Sequence, residues 1–303
     1  MALDYPLVIS LLAIFFATLY LFRSKIQGKV NPNTLVSSFS IDLTALAREN
    51  KLDPVVGRDQ EIRKVIQVLS RRRKNNIIIF GRAGIGKTAI AEGLAIAIAK
   101  GLVPKNLVNK IILKIDISSI LAGTKYRGEF EKRFKDLIDR VIAMDKRIII
   151  FMDEIHTIVQ AGGTEGSVDA DDIIKAPLAR GDLQMIGTTT IEEYKKYIEP
   201  DSTLTRRFEG YLMKEPSKAK TMQMLEALKK GYEEYHKVSI GSDVIKEIVD
   251  RTAKITDRAF PDKAIDILDE VAAQVRLNNP GSDKIIQVKN SDLEEALREY
   301  HNY

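Results

Sequence analysis

The order of apolar and polar positions divides the chain into three parts. An uncharged, apolar run occupies residues 5–22. Between residues 53 and 214, short apolar stretches of strand length alternate with longer stretches of helical period, which predicts a parallel sheet with helices on both faces. After residue 215 only helical periods follow. The pattern therefore predicts an α/β domain followed by a small helical domain.

The boundaries of strands and helices follow from the same pattern. The predicted strands are Ile77–Phe80, Ile111–Ile117, Arg147–Met152 and Leu183–Gly187. The predicted helices are Leu43–Glu49, Gln60–Ser70, Thr88–Lys100, Gly128–Met144, Met222–Tyr235, Asp243–Ala253, Asp262–Asn278 and Ser291–Tyr300. We assign residues 1–30 to an anchor and its flank, 31–52 to a linker with a short helix, 53–214 to the large domain and 215–303 to the small one.

The apolar run at residues 5–22 is expected to be an N-terminal transmembrane helix. Its 18 residues would span about 27 Å, close to the thickness of the hydrocarbon layer, and Tyr5 and Tyr20 lie near its ends, as in an aromatic belt. Cations follow the run but do not precede it, which predicts the amino terminus outside and the remaining chain in the cytoplasm, or in the stroma or matrix of an organelle. A cleaved signal peptide and a buried or interfacial helix are the alternatives.

The charge and the absence of cysteine limit which partners and which kinds of catalysis the chain can have. The 47 Lys and Arg residues against 42 Asp and Glu residues give a formal net charge of +5, spread along the chain. This excess permits a nucleic-acid partner but does not imply one. The chain has no cysteine, which excludes disulfides, thiolate metal sites and thiol catalysis.

Residues 81–88 read GRAGIGKT between a predicted strand and a predicted helix, and they match the phosphate-loop pattern G-x-x-x-x-G-K-[ST]. Glycines let such a loop fold so that backbone N–H groups face the phosphates. We expect Lys87 to reach the β- and γ-phosphates of ATP and Thr88 to hold Mg²⁺ through its hydroxyl. The residues expected to contact the nucleotide here are Gly81, Arg82, Ala83, Gly84, Ile85, Gly86, Lys87, Thr88 and Ala89.

Two carboxylates, Asp153 and Glu154, follow the apolar strand IIIFM. Because ligands gather at the carboxyl ends of parallel strands, Asp153 is the expected Mg²⁺ partner. Glu154 is expected to orient or deprotonate the water that attacks the γ-phosphate. A lone histidine follows at position 156 and is interpreted as structural.

Two further polar groups leave alternatives open. One hydroxyl of residues 188–190 could sense the γ-phosphate or position water, but a threonine run can also merely cap a strand. The pair Arg206 and Arg207 suits a charge offered to a neighbour's phosphates, although spacing alone favours a surface ion pair. Tyr126 stands between Lys125 and Arg127 on a glycine-flanked loop, and the pattern alone gives it no role.

From about residue 52 to residue 276 the chain resembles the first AAA+ module of the Clp unfoldases of the ClpB and ClpC type. The matching stretches are DPVVGRDQEIRKVIQVLSRRRKNN, GKTAIAEGLA, LAGTKYRGEFEKRF, FMDEIHT, LARGDLQMIGTTTIEEYKKYIE, LTRRFEG and FPDKAIDILDE. They occur in the family's order, and the region from residue 52 to residue 276 that contains them makes up roughly three quarters of the chain.

The resemblance implies an α/β P-loop AAA+ module with a parallel sheet sandwiched by helices, a small all-α lid, and ATP with Mg²⁺ as cofactors. It implies that Thr190 is the sensor threonine, and that Arg206 and Arg207 are arginine fingers that reach the adjacent subunit of a ring, usually of six. The remaining residues it assigns are Val55 and Val56 at the adenine, Lys263 in the lid near the phosphates, and Lys125, Tyr126 and Arg127 in a pore loop that grips a polypeptide.

The chain also departs from the family. Arg82-Ala83 replaces the usual Glu-Pro, and Asp172 replaces an Asn. The family's amino-terminal substrate domain, its coiled-coil middle domain and its second ring find no counterpart, so the resemblance gives no support for docking of a ClpP-type peptidase.

These observations together predict a membrane-anchored ring ATPase that unfolds, remodels or translocates polypeptides, either as a homo-oligomer or in a mixed ring with Clp-type relatives. The alternative is a membrane-tethered, ATP-binding interaction subunit that joins or recruits a larger ring. A nucleic-acid-remodelling ATPase is not favoured, because the basic run RRRK at residues 71–74 falls where the family also has basic residues. No nucleic-acid partner is therefore expected.

Overall fold

A six-stranded sheet forms the centre of the larger domain in a computed structural model that describes residues 39–122, 127–160, 170–281 and 284–300. The strands are β1 Ser40–Asp42, β2 Asn76–Phe80, β3 Ile111–Ile115, β4 Ile148–Met152, β5 Met185–Thr189 and β6 Phe208–Leu212. Their order across the sheet is β1-β3-β4-β5-β2-β6. β1 runs antiparallel to β3, and the other neighbours are parallel.

The predicted mostly parallel α/β sheet is confirmed, with two additions and one shifted boundary. β2, β3 and β4 are almost wholly buried, which is why each reads as a continuous apolar run. The edge strands β1 and β6 carry polar residues and were missed. β5 begins at Met185 and continues through Thr189, two residues beyond its predicted end, so Thr188 and Thr189 belong to the sheet.

Helices cover both faces of the sheet. In chain order they are α1 Leu43–Arg48, α2 Asp59–Leu69, α3 Lys87–Ala99, α4 Ile117–Ala122, α5 Arg127–Ala143, α6 His156–Gln160, α7 Ala170–Arg180, α8 Ile191–Glu193 and α9 Ser202–Arg207. A π-helix, Tyr194–Ile198, continues α8. The apolar side chains of α2 and α3 pack on one face of the sheet, whereas those of α5 and α7 pack on the other. This arrangement buries both faces and leaves the carboxyl ends of the strands open to a ligand.

Within the described residues, the lid consists of four helices and two very short strands around an apolar core of its own. Its elements are α10 Lys218–His236, β7 Val238–Ser239, α11 Ser242–Thr252, α12 Asp262–Leu277, β8 Ile286–Gln287 and α13 Asn290–Tyr300. β7 and β8 pair in parallel, so the lid is helical but not all-α as predicted. A strand of two residues is too short to show an alternating pattern in the sequence.

The predicted localisation is corrected. Of the helices in the described residues, none is long and apolar enough to cross a membrane, so the prediction of a single-pass membrane protein with its amino terminus outside is wrong. That prediction rested on the hydropathy and length of one segment. The segment itself, residues 5–22, lies outside the described residues, as do Lys125 and Tyr126. Arg127 is described only as the first backbone position of α5.

Candidate active site

The phosphate loop joins the end of β2 to the start of α3. Gly84 and Gly86 have φ angles of 75° and 85°, in the left-handed region that glycine enters without steric cost. Between them, the Ile85 side chain is buried in the domain core, which fixes the middle of the loop. Because α3 begins at Lys87, the free N–H groups of its first turn adjoin the loop, as an anion site requires.

Arg58 stabilises the phosphate loop through a backbone carbonyl of the loop. Its side chain is buried, and its guanidinium donates to the carbonyl of Ile85 and, at 3.2 Å, to Oε1 of Glu61. Burial lowers the pKa of Arg58, and the carboxylate of Glu61 opposes that effect. No pattern in the sequence singles out this arginine, because its partner in the loop is a backbone carbonyl.

Lys87 faces the cavity in front of the loop. Its ammonium donates to the carbonyls of Gly81 at 3.0 Å and of Arg82 at 2.9 Å. Burial lowers the pKa of this ammonium, while the carboxylates of Asp153 and Glu193 raise it. The cation is thus partly desolvated inside an acidic cavity, where a phosphate group could replace the loop carbonyls as its partner.

Thr88 and Asp153 meet across the cavity. The Thr88 hydroxyl donates to Oδ2 of Asp153 at 2.7 Å, and the other carboxylate oxygen, Oδ1, accepts from the hydroxyl of Thr188. A hydroxyl and a carboxylate side by side are the hard oxygen ligands that Mg²⁺ takes alongside phosphates and waters. These two residues therefore fit the predicted Mg²⁺ site.

Glu154 has a φ of 50°, unusual for a residue other than glycine, and lines the same cavity. Its backbone N–H lies 3.4 Å from the hydroxyl of Thr188, and the N–H of Ile155 donates to the carbonyl of Thr188 at 2.9 Å. The turn after β4 is thereby attached to β5. This attachment fixes the backbone of Glu154, so that its side chain starts from a fixed position in front of the phosphate loop.

Thr190, the predicted sensor, caps the short helix α8. Its hydroxyl donates to Oε2 of Glu193 at 2.8 Å, and its backbone N–H donates to the same oxygen at 3.2 Å. The other carboxylate oxygen of Glu193 lies 3.0 Å from Nε2 of His156, whose Nδ1 lies 3.0 Å from the hydroxyl of Thr189. Burial acts against ionisation of Glu193, but the hydrogen bonds from Thr190 and Thr189 and the charge interaction with His156 together outweigh it and lower the pKa.

Two adjoining cavities lie between the large domain and the lid. The first has a volume of about 350 Å³ and is lined by Lys87, Thr88, Asp153, Glu154 and Thr190 together with Glu193 and the lid residues Pro261, Asp262 and Ile265. The second, of about 220 Å³, is lined by Val55 and Val56 with Ala89, Glu92, Met224, Leu228 and Tyr232. Gly86, Pro261 and Ile265 line both, so the phosphate end and the predicted adenine end are continuous.

Two residues that were predicted to contact the nucleotide, Lys263 and Arg82, direct their charged groups away from the phosphates. Lys263 is buried and donates to the carbonyl of Ile255 at 2.6 Å, and it does not line either cavity, although its neighbour Asp262 lines the first. The Arg82 guanidinium turns away from the phosphate end to Glu215 and to the carbonyl of Thr256 in the lid. Both cations also lie within 4 Å of Glu215, at the junction between the large domain and the lid.

Arg206 and Arg207 lie at the opposite end of the sheet from the phosphate loop. They end α9, and the next residue, Phe208, pairs with Asn76 at the beginning of β2. The phosphate loop follows the other end of β2, about 16 Å away for a strand of this length. These arginines are therefore at the wrong end of the sheet to reach the nucleotide cavity of the same chain.

The families and proteins that match this chain all indicate an AAA ATPase module followed by its lid. Residues 77–215 match the ATPase family associated with various cellular activities (AAA), and residues 217–302 match the AAA lid domain. Over 243 residues the chain is 50% identical to the chaperone protein ClpB of Porphyromonas gingivalis, covering 80% of this chain and 28% of that protein. Over 271 residues it is 47% identical to the negative regulator of genetic competence ClpC/MecB of Bacillus subtilis, covering 89% and 33%.

Solved structures of Hsp104 have a similar fold. A closed-state cryo-EM reconstruction of Hsp104 with ATPγS and FITC casein superposes with a TM-score of 0.79 at 36% identity, covering 88% of this chain and 45% of that one. The ADP complex of Hsp104 from S. cerevisiae gives a TM-score of 0.78 at 37% identity, covering 87% and 44%. The chain spans 28% to 33% of the length of the curated relatives named above, so its similarity to them concerns one module.

Proposed function

This chain carries a Clp-type AAA ATPase module with its lid, and on that premise we propose that it hydrolyses ATP in a hexameric ring to unfold, remodel or translocate polypeptides. One observation carries the proposal. The phosphate loop, the Asp153–Glu154 pair and Thr190 all face a single cavity that the lid helix α12 closes from the other side. A site with these groups in one cavity supports phosphoryl transfer from a nucleotide to water.

The proposed roles follow from the side chains. The loop N–H groups and Lys87 bind the phosphates, and Val55 and Val56 bind the adenine. Mg²⁺, when bound by Thr88 and Asp153, supplies positive charge beside the phosphates. Glu154 orients the attacking water and takes its proton. Thr190, held by Glu193 through its backbone N–H, turns its hydroxyl proton from Glu193 to the terminal phosphate when the nucleotide binds.

The positions of the two arginines support a ring. Arg206 and Arg207 are separated from the phosphate loop of their own subunit by the length of β2. A second copy is the natural place for their charge to act, because an arginine offered across a subunit boundary stabilises the phosphates of the neighbour. We propose that both residues act in this way, and that hydrolysis requires assembly.

A test of the chemistry is Glu154→Gln. The variant should bind a fluorescent ATP analogue as wild type does, while phosphate release falls by at least ~100-fold, because an amide cannot take the proton. Lys87→Ala is the matched variant and should lose binding as well. Turnover at the wild-type rate in Glu154→Gln would overturn the assignment.

Mixing subunits tests the ring. Lys87→Ala cannot use its own nucleotide site but keeps its arginines, and Arg206→Ala with Arg207→Ala keeps the site but lacks the arginines. If the arginines act on a neighbour, a mixture of the two inactive proteins regains part of the ATPase activity. Each protein alone should stay inactive, and a mixture that also stays inactive would count against action across the subunit boundary.

The polypeptide part of the proposal rests on the stretch LAGTKYRGEFEKRF, whose residues 123–126 lie outside the described part of the chain. We propose that Tyr126, flanked by Lys125 and Arg127, grips an extended polypeptide in the pore. Tyr126→Ala should retain ATP hydrolysis and lose unfolding of a fluorescent substrate protein. Tyr126→Phe is the control and should keep unfolding, because the aromatic ring rather than the hydroxyl makes the grip. Unfolding by Tyr126→Ala at the wild-type rate would refute it.

A further inference from the structure

Thr188 lies beside the proposed Mg²⁺ site and contacts both the carboxylate of Asp153 and the backbone of Glu154. Its side chain is fully buried, at 0% exposure, near the end of β5. The hydroxyl donates to Oδ1 of Asp153 and lies 3.4 Å from the backbone N–H of Glu154. The Thr188 hydroxyl therefore donates to the carboxylate of Asp153 and accepts from the backbone N–H of Glu154.

The two oxygens of Asp153 have different environments. Oδ2 accepts at 2.7 Å from Thr88, which lines the cavity, whereas Oδ1 accepts from the buried Thr188 on β5. Rotation of the Asp153 carboxylate would break the hydrogen bond from Thr188 to Oδ1. A hydrogen bond to a charged acceptor is stronger than one between neutral groups, so this bond restrains the carboxylate. The contact with Thr188 thus fixes Oδ2 toward Thr88 and the proposed metal.

The position of Thr188 explains how a β5 residue can do this. β5 lies between β4 and β2 in the sheet, and Thr188 pairs with Ile79 two residues before the phosphate loop. Asp153 follows the last residue of β4, Met152, which pairs with Gly187. The hydroxyl is therefore carried by the rigid strand between the two halves of the site. A group on a packed strand holds its partner more firmly than a group on a loop.

We propose that Thr188 is a positioning residue, which orients the Asp153 carboxylate for Mg²⁺ and attaches the backbone of Glu154 to the sheet. This inference deepens the proposed function and rests on it. The residue itself touches neither metal nor nucleotide. Its loss should reduce the Mg²⁺-dependent part of nucleotide binding, in line with the ~10–100-fold effect of removing the partner of a metal ligand.

The test measures the affinity of the full chain for a fluorescent ATP analogue, once with Mg²⁺ and once with EDTA. Thr188→Val keeps the branched shape and removes the hydroxyl. We expect its affinity to fall by at least ~10-fold with Mg²⁺ and to remain unchanged with EDTA. Thr188→Ser keeps the hydroxyl and should restore the wild-type ratio. Thr188→Ala provides a second variant without the hydroxyl if the valine disturbs folding.

Thr252→Val is the matched control. Thr252 is also fully buried, and its hydroxyl donates to the carbonyl of Ile248 at 2.7 Å within the lid. It should leave the ratio of the two affinities unchanged. If Thr188→Val and Thr188→Ala bind equally well with Mg²⁺ as wild type does, or lose affinity equally in both buffers, the inference is overturned. If wild type itself shows no Mg²⁺-dependent binding, the proposed function fails instead.

Discussion

The guanidinium of Arg82, inside the phosphate loop, donates to Oε2 of Glu215 at 3.3 Å. Glu215 is the last residue of the part that matches the AAA family, and the lid begins two residues later, at residue 217. Its other oxygen accepts from the backbone N–H of Phe260 at 2.8 Å and lies 3.8 Å from the ammonium of Lys263. The carboxylate of Glu215 thus joins the loop, the junction between the domains and the lid.

Glu215→Ala should destabilise the lid more than Arg82→Ala does. Arg82 is half exposed, and an exposed ion pair contributes less than ~1 kcal/mol. Without Glu215, the Phe260 N–H loses its acceptor and the buried ammonium of Lys263 loses its ion-pair partner, which costs ~1–3 kcal/mol. Urea unfolding of both variants measures the difference.

The control for this comparison is Arg180→Ala, which removes an exposed ion pair with Asp182 in the large domain. It should behave like Arg82→Ala. Equal free energies of unfolding for Glu215→Ala and Arg82→Ala would mean that Glu215 stabilises the junction only through the arginine.

Gly84→Ala should weaken nucleotide binding by more than backbone strain explains. The new Cβ would lie 2.7 Å from the Cβ of Asp262 in the lid, and Gly84 has a φ of 75°. Gly101 has a similar φ of 70° but nothing within 4 Å of its Cβ position, so Gly101→Ala carries the strain alone, about 1–2 kcal/mol.

Thermal unfolding and ATP-analogue affinity separate the two effects. Both glycine variants should lose similar stability from strain, but only Gly84→Ala should lose affinity, because the lid helix α12 must move away from the loop. An affinity loss of the same size in Gly101→Ala would show that strain, and not the contact with Asp262, is responsible.

Gly93 packs closely against Val55, which lines the predicted adenine end of the cavity. A Cβ on Gly93, in α3, would lie 3.2 Å from Cγ1 of Val55 and 2.5 Å from Cδ1 of Ile62. Ile62 can move its flexible end, whereas the stiff side chain of Val55 has to shift as a whole. Gly93→Ala should therefore lower ATP-analogue affinity. Gly231→Ala, in α10 with nothing within 4 Å, should only gain up to ~1 kcal/mol of helix stability. A wild-type affinity in Gly93→Ala would contradict this account.

The sequence was sufficient for those parts of the fold and site that are local. β2, β3 and β4 are buried on both faces, so their patterns stand out, and the phosphate loop and the Asp153–Glu154 pair are continuous stretches. The edge strands are different. β6, FEGYL, exposes Leu212 and alternates irregularly, and only its pairing with β2 makes it a strand.

The supporting residues of the site could not be predicted, because they depend on the order of the strands. Thr188 meets Asp153 only because β5 lies beside β4. Lys263 shows the converse. The resemblance implied that it lies near the phosphates, but on α12 its side chain turns into the junction toward Glu215, while the adjacent Asp262 lines the cavity. A shift of one position along a helix turns a side chain by about 100°.

His156, interpreted from the sequence as structural, should influence hydrolysis through Glu193. It is 5% exposed and bridges Thr189 and Glu193, and Glu193 in turn holds Thr190. His156→Phe keeps an aromatic ring of similar size and removes both nitrogens. We expect the turnover number to fall about 10-fold, as for loss of a partner that orients an active-site group, with a smaller change in KM for ATP. Steady-state phosphate release measures both quantities.

His236→Phe is the matched control, because His236 also pairs with a carboxylate, Asp269 at 2.6 Å, but within the lid. It should leave turnover unchanged. If His156 acts through Glu193, the effects of His156→Phe and Glu193→Gln on the activation free energy will not add, because each change breaks the same link to Thr190. The double variant should then be about as slow as the slower single variant. Additive effects would show instead that His156 and Glu193 contribute to hydrolysis independently, despite their contact.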